Sequence, residues 1–117
     1  MKLGRLLRDG DCIVDRAMFA DNVFERMRGL LGRPRIGPGQ AMVLTRCGAI
    51  HTCGMRYPID VLFLDRGWRI IDVKHQIHPW RMTQCLRAVN TVEIAAGEAH
   101  RISLQPGDKL TWFDQTS

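Results

Sequence analysis

The sequence predicts a mainly β protein, a compact barrel or jelly-roll-like sandwich with one short helix near residues 22–31. Short apolar runs with period-2 alternation supply most of the signal, and turn residues separate them at regular intervals. A single segment with helical periodicity interrupts the pattern. The 117 residues suit one domain spanning 1–117, and 45% hydrophobic with 25% charged residues is ordinary for a globular fold. No apolar run approaches the ~20 residues of a membrane span, so no membrane partner is expected.

Taken in order, Met1 to Gly10 alternates small apolar groups with charges and lacks the apolar centre of an export signal. That stretch reads as mature protein, and the expected compartment is the cytoplasm. Val23, Met27, Leu30 and Leu31 then fall at i, i+4, i+7 and i+8, one face of a helix. Asn22 with Glu25 forms a capping box at its start, and Gly32 before Pro34 supplies its stop. Arg26 and Arg28 lie off the apolar stripe. Between Gly32 and Gly39, three glycines and two prolines make a loop.

Met42-Val43-Leu44 is a brief strand, and Ile59 to Leu64 a longer one, apolar on both faces except at Asp60. Asp65-Arg66-Gly67 turns the chain, with Gly67 suited to positive φ, and Trp68 to Lys74 returns as the partner strand. Val92 and Ile94 alternate with Thr91 and Glu93 until Gly97 breaks the run. Ile102 and Leu104 alternate with Arg101 and Ser103 as a further strand. Pro106-Gly107-Asp108 is a turn, and Lys109 to Phe113 makes the last strand.

Charge is unevenly placed. The net charge is +5, and residues 1–56 hold ten Lys or Arg against five acids, whereas residues 57–117 balance seven against seven. No acid lies between Arg26 and Ile59, a stretch that holds Arg28, Arg33, Arg35, Arg46 and Arg56. Arginine binds carboxylate or phosphate through a planar fork, so an anionic small molecule or an acidic partner is expected. Nucleic acid is disfavoured, because Phe24 and Tyr57 are the only aromatic residues near these arginines and base stacking needs more.

Reactive side chains are densest at Cys47, His51, Thr52, Cys53, Met55, Arg56 and Asp60. Histidine is the residue type here whose ordinary pKa, ~6.5, suits proton transfer near neutrality. Asp60, alone among apolar neighbours, requires a partner, for which His51, Arg56 and Arg28 are the candidates. Cys47, His51 and Cys53 are spaced too widely for the usual paired-cysteine metal site, so neither metal nor cofactor is expected. With Cys12 and Cys85, these cysteines read as free thiols.

The string Ile50-His51-Thr52-Cys53-Gly54-Met55-Arg56-Tyr57-Pro58-Ile59-Asp60 resembles the signature of the domain of unknown function 192 family. So do Glu25-Arg26-Met27-Arg28-Gly29-Leu30-Leu31-Gly32-Arg33 and Val92-Glu93-Ile94-Ala95-Ala96-Gly97. With Pro106-Gly107-Asp108, the likeness covers about residues 12–113. The resemblance implies a small β barrel or sandwich with a short helix and carries no activity with it. It marks Arg26, Gly29, His51, Met55, Arg56, Asp60 and Glu93, among others, as residues of a site or of the fold.

These readings converge on a small-ligand or acidic-group binding module. Arg26, Arg28, Met55 and Arg56 are its expected ligand contacts, with His51 and Asp60 orienting the bound group. A hydrolase is the enzymatic alternative, using His51 as general base, Asp60 as its orienter and Arg56 as charge stabiliser. The third reading is an interaction or scaffold domain in which the same polar groups only hold the fold.

Overall fold

The computed structural model describes residues 2–20 and 22–114, with the side chains of Val23 and Phe24 left aside. The chain opens with a hairpin, β1 (Lys2–Arg8) and β2 (Asp11–Ala20). Asp9 and Gly10 make its turn at φ +53° and +85°, the conformation that a two-residue hairpin loop demands. A crossover containing α1 (Val23–Arg28) leads to β3 (Gln40–Thr45), which runs parallel to β2. Parallel neighbours require such a long connection, and this one lays α1 over a single face of the sheet. Next come the short β4 (Ala49–His51), β5 (Ile59–Leu64), β6 (Ile70–Ile77), the short β7 (Met82–Gln84) and β8 (Asn90–Ala95). A second helix, α2 (Glu98–Arg101), and β9 (Leu110–Asp114) complete the order.

Seven strands form one mixed sheet in the order β6-β5-β8-β3-β2-β1-β9, while β4 and β7 pair separately. The sheet curls until Arg69 and Lys109 make an isolated bridge near the starts of its two edge strands. Those edges form no ladder among the described residues, so the sheet is mainly β as expected but not closed into a barrel.

Period-2 alternation along the central strands divides the apolar residues between two cores. Ala41, Val43, Leu62, Leu64, Val92 and Ile94 join Leu6, Val14 and Leu110 in the core inside the curl. Met42, Leu44, Ile59, Val61 and Phe63 meet Leu30, Ile36, Ile50 and Met55 in the core on the other face. Both faces of β3, β5 and β8 are therefore covered.

Several local expectations are corrected. The helix ends at Arg28 rather than near residue 31, and its cap is Gly29 at φ +53°, not Gly32. Its intended stripe is broken: Leu30 is buried, whereas Met27 is 72% exposed and Leu31 partly so. A six-residue helix is too short to bury a continuous face, and the turn after it delivers Leu30 to the core instead. In the turn after β5 the positive φ falls on Trp68, not Gly67. The segment around Arg101 is α2 rather than a strand, because Asp60 binds its N-terminal amides. By contrast the capping box forms as expected: Asn22 Oδ1 accepts from the Glu25 amide at 2.9 Å, and Asn22 Nδ2 donates to Glu25 Oε1 at 2.9 Å.

Candidate functional site: a cleft beneath the crossover helix

A cleft of about 420 Å³ opens between α1 with its following turn and the segment from Arg46 to Met55. Its walls follow from local structure. Gly29, at φ +53° and ψ −126°, reverses the chain after α1 and comes so close to the sheet that a Cβ there would sit 3.0 Å from Glu93 Oε1. Opposite, β4 is held by its antiparallel pairing with β7, His51 facing Met82. Thr52 pins the next turn: its buried hydroxyl donates to the His78 carbonyl at 2.7 Å and accepts from the Arg81 amide at 2.9 Å. Thr91 Oγ1 donates to the Cys47 carbonyl at 2.5 Å, fastening the other end of the segment to β8.

Arg26 and Arg28 line this cleft from α1, Arg46 and Cys47 from beyond β3, and His51, Cys53 and Met55 from the facing wall. Arg28 is steadied by a hydrogen bond from its Nε to the Leu31 carbonyl at 3.0 Å. His51 Nδ1 accepts from the Cys53 amide at 3.3 Å. In the neutral ring that hydrogen bond places the proton on Nε2, making His51 a donor.

The floor holds Glu93, 2% exposed. Its cross-strand neighbours are Met42 on β3 and Val61 on β5, both fully buried and apolar. Its Oε1 has no hydrogen-bond partner among the described residues. Burial pushes its carboxyl up to about 8.

Not every expected residue comes to this place. Asp60 is fully buried, but strand alternation turns it to the face opposite Glu93. There its Oδ1 accepts from the Gln76 amide at 2.8 Å, and its Oδ2 from the Gly97 and Ala99 amides at 3.0 Å each. Its partners are thus backbone amides of β6 and of the start of α2, rather than His51, Arg28 or Arg56. Arg56 is exposed and lines an adjoining groove with Arg33, Arg35 and Tyr57. Met55 borders both.

Glu93, Arg46, Cys47 and Cys53 are among the cleft residues that the sequence did not mark as ligand contacts. The available signal was an acid between Val92 and Ile94 inside a family-like string. The four cysteines are free thiols, and no cluster of three or more metal-ligating side chains occurs among the described residues. No helix among these residues is long and apolar enough to cross a membrane.

The chain is thus a mainly β protein built on a curled, mixed seven-stranded sheet, with a cleft under its crossover helix. Residues 6–112 match the DUF192 family, described as "Uncharacterized ACR", and the chain belongs to that family. It is similar to a UPF0127 protein of Thermococcus sibiricus, 32% identical over an alignment of 102 residues that covers 83% of this chain and 66% of that protein. The match therefore spans about two thirds of that relative's length. The UPF0127 protein PH1112 of Pyrococcus horikoshii is 36% identical over 101 residues, 80% of this chain and 84% of the relative. Among solved structures, a protein of unknown function from Novosphingobium aromaticivorans shares the fold at a TM-score of 0.82 and 21% identity, covering 94% of this chain and 84% of the other.

Proposed function

We propose that this protein is a binding module for a small oxyanionic ligand and that the cleft beneath α1 is its site. The observation that carries this reading is the set of three arginines, Arg26, Arg28 and Arg46, around one cleft whose only acid among the described residues is buried Glu93. Guanidinium groups at a partly desolvated mouth favour carboxylate or phosphate oxygens and form charge-assisted hydrogen bonds with them. His51 adds a donor, and Met55 supplies the apolar wall that small-ligand sites ordinarily contain. Arg56, in the adjoining groove, attracts an approaching anion at longer range. Asp60 serves the site indirectly, holding β5 and α2 in place from the opposite face.

The hydrolytic alternative requires an orienter for His51 and a lone pair facing the substrate. The Cys53 amide on Nδ1 favours the opposite tautomer, with Nε2 donating. An interaction domain is a second reading, favoured by Trp80, Met82 and Leu86, which are 68%, 77% and 91% exposed around β7. Self-association that Met82→Lys abolishes in sedimentation experiments would support it.

Thermal shift at low salt tests the binding reading. Succinate or sulfate at about 10 mM should raise the melting temperature, by roughly the amount expected of ligand linkage. Arg26→Ala combined with Arg28→Ala should remove that rise while leaving the ligand-free melting temperature nearly unchanged. Absence of any shift in the native protein overturns the reading.

A further inference from the structure

We infer that Glu93 is the specificity-determining contact of the cleft: as a carboxylic acid it donates a hydrogen bond to an acceptor oxygen of an oxyanionic ligand, and the ligand is released when that proton is lost. This deepens the binding reading above and rests on it.

Geometry comes first. Glu93 lies on the floor of the cleft, and its Oε1 is buried without a partner among the described residues. A buried polar atom left unpaired is costly, and native folds keep few of them. The cross-strand neighbours Met42 and Val61 offer nothing to bond. Gly29 passes within a Cβ's reach, yet its amide is already committed to the Glu25 carbonyl at 3.0 Å. The space that remains beside this carboxyl is the cleft, whose lining includes Glu93.

The protonation state follows from the same surroundings. Burial raises the Glu93 carboxyl to about 8, so near neutrality it is an acid with a proton to give. A neutral donor at the floor and cationic forks at the mouth suit one chemistry, an oxyanion with at least two acceptor oxygens. A ligand ammonium would instead favour ionised Glu93 but would have to pass Arg26, Arg28 and Arg46.

Other groups that face Glu93 must be considered. Arg26 and Arg28 on α1 and Arg46 after β3 keep their charge throughout the relevant range. His51 on β4 and the thiols of Cys47 and Cys53 also line the cleft, and Tyr57 senses the charge of Glu93. Thiols ordinarily ionise near ~8.5, so a loss of anion binding at high pH could arise from them as well. The variant Glu93→Gln separates the two sources, since it keeps both thiols, the histidine and the tyrosine and still donates from its amide.

Succinate, which does not titrate above neutrality, is the probe, and calorimetry from about pH 7.5 to about 9.5 is the measurement. Native protein should lose affinity about 25-fold over that range, close to tenfold per unit once above the Glu93 midpoint. Glu93→Gln should bind succinate at about pH 7.5 within roughly threefold of the native protein and vary less than about threefold over the range. Glu93→Met, of similar volume but without a donor, should bind at least about tenfold more weakly.

Several results would overturn the inference. If Glu93→Gln keeps the native pH dependence, the thiols cause it and the acid does not; the binding reading survives. If succinate affinity rises with pH, the Glu93 proton does not hold the anion and the inference falls. If the ¹³C signal of the Glu93 carboxyl in ligand-free protein titrates below about pH 6, the donor does not exist near neutrality. If succinate binds at no pH in that range, the binding reading itself falls, and this inference with it.

Discussion

Two buried acids on adjacent strands illustrate what decides a residue's role. Asp60 on β5 and Glu93 on β8 are both nearly inaccessible, but Asp60 has both oxygens taken by backbone amides while Glu93 Oε1 has no partner among the described residues. Gly97, which precedes α2, offers no side chain to cap it, so Asp60 acts as a cap supplied from another strand. Asp60→Ala leaves three amides unsatisfied and should cost about 3 kcal/mol or more in urea denaturation, with His51→Ala nearly neutral by comparison. From the sequence Asp60 was expected to be partly buried and to need a partner. The sequence could not show that the partner would be backbone, because amides are present at every position and leave no mark in composition.

At the scale of elements, α1 and the segment after it show how a short crossover builds a wall. The capping box at Asn22 and Glu25 was legible because it depends on residues three apart. The end of the helix was not, since Gly32 before Pro34 reads as the stop while the structure ends the helix at Arg28 with Gly29 as its cap. Gly29→Ala should strain a backbone at φ +53° and press on Glu93, costing about 1–3 kcal/mol. The same variant should weaken succinate binding, because it disturbs the floor and one wall together; denaturation and calorimetry on one preparation check both. The opening hairpin was legible: Asp9-Gly10 between alternating segments is among the strongest short-range hairpin signals. The pairing of β4 with β7 was not legible, since each has three residues and depends on contacts across some thirty positions.

For the molecule as a whole, the raised Glu93 carboxyl links stability to pH. Its ordinary value is 4.5 and burial takes it to about 8, so between those values the folded state holds a proton that the unfolded chain has released. The stability this group contributes is complete below about pH 4.5, declines as pH rises toward 8 and is flat above it. Glu93→Gln should therefore gain on the native protein steadily from about pH 5 to about pH 8, as urea midpoints at several pH values will show. A gap that does not change with pH would mean that Glu93 titrates alike in both states. Legible from the residues alone were the β-rich class, the helix start, the loop after it, the family and the concentration of arginine in the first half. Each depends on neighbours along the chain or on composition. Which acid shares a cleft with the arginines depends on the fold. Alternation puts successive residues on opposite faces but does not say what covers each face, and here both faces of the central strands are buried. The crossover from β2 to β3 lays α1 over the face that carries Glu93, and Asp60 points to the other.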